Sequence, residues 1–111
     1  MPTPTVLTYQ QVYTPDQHGH IELTGIVDVK DFSDVDFQIE TTPAVLDPNV
    51  LVDVTMGKIS GWTLAAQVGQ YPIKDWRQIR SYKVIGPELL IRINNIFTAT
   101  GININAWVFL H

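Results

Sequence analysis

An all-β fold of about eight antiparallel strands, packed as a β-sandwich or jelly roll, is the class this sequence predicts. Three observations carry it. Apolar and polar residues alternate with a period of two in segment after segment; turn residues punctuate the chain at intervals of roughly ten residues; and the helical period is nearly absent. With 111 residues the chain fits one domain, residues 1–111, and leaves no room for a second core of useful size.

Thr5 to Tyr13 reads as the first strand, closed by Thr14-Pro15-Asp16-Gln17-His18-Gly19. His20 to Val29 follows, with Ile21, Leu23, Val27 and Val29 on one face and Glu22, Thr24 and Asp28 on the other. Val35, Phe37 and Ile39 alternate with Asp34, Asp36, Gln38 and Glu40, the pattern of a half-buried strand whose acidic side meets water. Pro43 and Pro48 break any ladder, so Thr41 to Asn49 is read as a loop. Val50 to Met56 alternates again, Gly57-Lys58 begins a turn, and Ile59 to Val68 forms the fifth strand with Trp62, Leu64, Ala66 and Val68 on one face. Gly69 to Asp75, with Pro72, is read as a loop; Trp76 to Ile85 and Glu88 to Asn94 flank Gly86-Pro87; and Ile102 to Leu110 closes the chain. Val35, Phe37, Ile39, Val52, Val54, Leu89, Ile91 and Ile93 are expected inward, because each sits on the apolar side of an alternating strand.

Charge and composition narrow the function. Seven Lys and Arg against eleven Asp and Glu give a formal charge of -4, and no basic run provides the clustered cations that nucleic-acid binding requires. No apolar run approaches the ~20 residues needed to cross a bilayer, and the first residues lack the basic and apolar regions of a signal peptide. A soluble protein bound to neither nucleic acid nor membrane is expected. Without cysteine there is no disulfide framework and no thiolate metal site.

Catalysis needs a nucleophile with its base, a tuned carboxylate pair or a metal with an open position. No nucleophile elbow, phosphate-cradling loop or zinc-protease helix occurs, so the expectation is a non-enzymatic protein without cofactor. His18 and His20, two apart around Gly19, have the spacing to clip a transition metal if strand geometry holds there; a solvated turn is the plainer account. Asp28, Asp31, Asp34 and Asp36 are the best candidates for a hard cation such as calcium, yet they lack the glycine and ligand spacing of an EF-hand loop. A turn whose aspartates bond the local backbone, on a strand with a polar face, is the plainer account.

Two aromatic sets remain. In the first, drawn from Trp62, Tyr71, Trp76, Tyr82 and Trp107 with Trp62, Tyr71 and Trp76 foremost, flat rings suit pyranose faces, and Arg77 and Arg80 suit hydroxyls and carboxylates, the chemistry of a glycan platform. In the second, Ile102, Ile104, Ala106, Val108 and Leu110 form the core face of the last strand, while its other face begins with Asn103 and Asn105 and ends with Trp107 and Phe109. A lone sandwich leaves two such aromatics partly in water, so Trp107 and Phe109 are expected at an oligomer interface.

The stretch Tyr82-Lys83-Val84-Ile85-Gly86-Pro87-Glu88-Leu89-Leu90-Ile91-Arg92-Ile93-Asn94-Asn95, with Ala106-Trp107-Val108-Phe109-Leu110 after it, resembles the end of small β-sandwich proteins encoded with tailed-phage virion genes. Phe37-Gln38-Ile39-Glu40-Thr41-Thr42-Pro43 is similar to their central strand and loop. The resemblance implies a bacteriophage virion part: a capsid decoration protein, head spike base or tail component. Such a part works by self-association, with a homo-oligomeric ring such as a trimer as one form, and by docking on larger virion proteins. Similar alternations occur in galactose-binding-like jelly rolls, so a carbohydrate-binding module using surface aromatics is the alternative.

Overall fold

The computed structural model describes residues 3–60, 64–75, 79–98 and 101–111. The strands are β1 (Thr5–Tyr13), β2 (Ile21–Glu22), β3 (Val27–Asp28), β4 (Asp34–Thr42), β5 (Leu51–Lys58), β6 (Leu64–Pro72), β7 (Arg80–Lys83), β8 (Glu88–Asn94) and β9 (Ile102–Leu110). A 3-10 turn, Ile73–Asp75, follows β6. One sheet has the order β1-β9-β4-β7; the other runs β2-β8-β5-β6, with β3 also paired to β8. Every pairing is antiparallel.

The pairings are nested. β5 pairs with β6, β4 with β7, β2 and β3 with β8, and β1 with β9. The chain is thus one long antiparallel hairpin with its tip between β5 and β6, rolled until β9 meets β4 and β8 meets β5. That is the jelly roll. Rolling turns one face of each sheet inward, and Val35, Phe37, Ile39, Val52, Val54, Leu89, Ile91 and Ile93, all expected inward, are fully buried there with Met56, Ile104, Ala106 and Val108.

Five strand boundaries differ from the sequence reading, the first in β5, whose ladder with β6 runs on through Gly57 and Lys58, where a turn was expected. His20 to Val29 is not one strand but two short ones, because Gly25 takes a left-handed backbone (φ 64°) and Thr24 Oγ1 accepts the Ile91 N–H in place of a ladder carbonyl. The fifth strand lies further along, at Leu64–Pro72, and runs through Gly69 and Pro72, the start of the expected loop. A proline is admissible there because β6 is an edge strand, and an extra residue, Val68, bulges between the partners of Val54 and Thr55. β4 extends through Thr42, beyond the loop boundary expected at Thr41. Of the strand expected from Trp76 to Ile85, residues 76–78 lie outside the described residues, and the remainder is regular over Arg80–Lys83, where β4 is available to pair.

Candidate functional site

The outer faces of the two sheets differ in chemistry. On the β2-β8-β5-β6 sheet, most polar groups pair: Asp53 Oδ1 accepts from Gln67 Nε2 at 2.7 Å and Gln70 Nε2 at 2.6 Å, Arg92 pairs with Glu22 at 3.2 Å, and Ser60 Oγ donates to Glu88, while Arg92 Nε and Asn94 Oδ1 have no partner. On the other sheet, the antiparallel register sets Phe109 between Val6 and Asp36, and Trp107 between Thr8 and Gln38. Trp107 is 37% exposed, Val6 57% and Ile79 64%. Asp36, Gln38, Ile79, Trp107 and Phe109 line a shallow depression of about 190 Å³. An apolar patch therefore sits on a face that is polar at its other end, where Gln10, Asn105 and Glu40 share a row and Asn105 Nδ2 donates to Glu40 at 3.1 Å.

Polar groups rim the patch. The His111 ring stacks on Phe109 at 4.7 Å between centroids, and its Nε2 lies 2.9 Å from Asp36 Oδ2. A hydrogen bond from the Ser81 hydroxyl, then His111, holds the Asp36 carboxyl below its ordinary pKa of 3.8, against the opposing effect of burial. A depressed carboxylate pKa stabilises the fold above its unfolded value, and that stabilisation is lost as pH falls through the folded value. Asp36→Asn should therefore reduce stability at pH 6 by up to about 1 kcal/mol, with the difference from wild type vanishing near pH 2. Urea unfolding at the two pH values checks this; an equal difference at both would assign the effect to packing.

The residues considered for a glycan platform do not form one surface. Tyr71 lies in the core, 4% exposed, because it faces Val52 on the inner side of β5 and β6. Burial pushes its phenol well above the usual range, and its hydroxyl has no partner. The Arg80 guanidinium covers the Tyr71 ring at 4.3 Å, and the Tyr82 ring packs against Gly69. These contacts close the gap between β6 and β7, leaving a polar recess of about 370 Å³. Trp62, Trp76 and Arg77 lie outside the described residues.

The cation candidates are dispersed. Asp28 Oδ1 accepts the Lys30 N–H, Asp34 pairs with Lys83 at 2.6 Å, and Asp36 is held as above. Among the described residues, no three His, Asp or Glu side chains are grouped to hold a metal. The His18 and His20 rings lie 6.2 Å apart on a turn that Asp16 organises by accepting both their backbone N–H groups. Sequence reasoning missed an apolar cavity of about 340 Å³ between the loop at 43–50 and residues 95–98, 101 and 102. Its signal was Ile96-Phe97, two large apolar residues in a loop, and Phe97 packs on Gly19 while staying 75% exposed.

No family model, curated protein or solved structure matches the chain. Among the described residues, no helix is long and apolar enough to cross a membrane.

Proposed function

We propose that the protein is a non-enzymatic structural component, of the kind tailed-phage virions carry on head or tail, that assembles with further copies of itself and docks on a larger lattice. The single observation behind this reading is the apolar patch of Val6, Ile79, Trp107 and Phe109 on the outer face of the β1-β9-β4-β7 sheet. Water-exposed tryptophan flanked by aliphatic side chains gains most by burial against a protein surface. The rim of Asp36 and His111 adds polar contacts at the periphery, where interfaces tolerate them. Jelly rolls serve both virus capsids and lectins, so the architecture supports the reading only as an analogy.

Trp107→Ala and Phe109→Ser should weaken assembly while leaving the fold in place, because both side chains lie on the outer face. Sedimentation of wild type and both variants, with circular dichroism as the folding control, reads this directly. A wild type that stays monomeric at high micromolar concentration and binds sugars on a glycan array would replace this reading with the carbohydrate-binding alternative.

A further inference from the structure

The four sheet edges are unequally protected. β7 is four residues long and carries Arg80 and Lys83; β2 and β3 are two residues each and carry Glu22 and Asp28; β6 is bulged and ends at Pro72. Short length, charge, bulges and proline are the devices that keep edges from pairing with other chains. β1 has none of them. It is nine residues, Thr-Val-Leu-Thr-Tyr-Gln-Gln-Val-Tyr, without a charge or proline, and its register with β9 is unbroken.

The register also shows which backbone groups face outward. His111 and Asp34 exchange both backbone hydrogen bonds, so the odd-numbered residues of β9 turn their N–H and C=O toward β4 and the even-numbered ones turn theirs toward β1. Leu110, Val108, Ala106, Ile104 and Ile102 oppose Thr5, Leu7, Tyr9, Gln11 and Tyr13, which are therefore the hydrogen-bonded residues of β1. Val6, Thr8, Gln10 and Val12 are left with N–H and C=O pointing off the edge of the sheet.

We infer that β1 pairs antiparallel with β1 of a second copy across a two-fold axis at Tyr9, joining the two outer sheets into one of twice the width. This rests on the self-association proposed above and adds a contact beside the Trp107 patch. The sequence of the edge is self-complementary about Tyr9: Val6 meets the partner's Val12, and Thr8 meets the partner's Gln10. Val6 and Val12 are 57% and 61% exposed in the single chain and shield each other in the pair. Every outward N–H and C=O of Val6, Thr8, Gln10 and Val12 gains a partner, and no like charges meet. The joined sheet presents both Trp107 patches on one face.

Thr8→Pro tests the pairing, because the Thr8 N–H is not used within the chain and proline is tolerated at such edge positions. In analytical ultracentrifugation of the full chain, wild type should be a concentration-dependent dimer or a multiple of it. Thr8→Pro should keep its circular dichroism and dissociate at a concentration on the order of a hundredfold higher. Tyr9→Cys, in a chain with no other cysteine, should form a covalent dimer on mild oxidation, since facing residues at a non-hydrogen-bonded pair lie within disulfide reach. If Thr8→Pro fails to fold, Thr8→Lys and the Tyr9→Cys cross-link decide. A monomeric wild type overturns both this inference and the function proposed above. Association lost in Trp107→Ala but intact in folded Thr8→Pro overturns the edge pairing alone, and the reverse pattern supports it.

Discussion

Phe37→Ala is expected to lower the unfolding free energy by about 3–5 kcal/mol. Phe37 is fully buried on β4, one of the two central strands of its sheet, where Val108 of β9 and Arg80 of β7 flank it in register. Neighbours held on both sides by ladder hydrogen bonds move little to fill the space, so the lost transfer energy and the cavity add. A domain of this size holds roughly 5–15 kcal/mol in total, so the variant is expected to approach the threshold of folding at 37 °C. Urea denaturation of wild type and Phe37→Ala measures the difference. A loss under about 1 kcal/mol would show that the β4 inner face is not the packed centre of the molecule.

Gly86→Ala should cost about 1–3 kcal/mol although it adds one methyl group. A Cβ at this position would stand 2.5 Å from Gly57 Cα and 2.9 Å from Gly57 N. Both are backbone atoms, and Gly57 pairs with Ala65 and Glu88 in the ladder, so relief requires shifting β5 or the segment after β7. Gly25→Ala is the comparison, because a Cβ there meets nothing within 4 Å and only the left-handed backbone resists it, at about 1 kcal/mol. Thermal melts of the two variants should rank Gly86→Ala as the less stable. A Gly86→Ala melting temperature equal to that of wild type would mean that the segment around Gly86 yields without cost.

The strands that the sequence located with correct ends, β1, β8 and β9, are those set off by turn residues: Pro4 and Pro15 around β1, Gly86-Pro87 and Asn95 around β8, and Gly101 before β9. Period-two patterning is a local property, and it also placed Val35, Phe37 and Ile39 inward without reference to any partner. The aromatic face of β9 was legible for the same reason: once Ile102 to Leu110 is a strand, Trp107 and Phe109 must share a side. Tyr71 was misjudged because Gly69 and Pro72 imitate a loop. Only the pairing of β6 with β5, around the bulge at Val68, turns the tyrosine inward.

Local chemistry settled that the chain is all-β, which faces are apolar and that Trp107 and Phe109 lie together on one side of the last strand. Strand order was settled elsewhere, since β1 lies next to β9 through contacts between the two ends of the chain that no short-range pattern encodes. The same holds for the position of the edges: no local pattern marks β1 or β6 as a border strand, and folding alone puts each there with its backbone open on one side. Whether a strand's hydrogen bonds are satisfied depends on who its neighbours are, and neighbours are a property of the rolled hairpin.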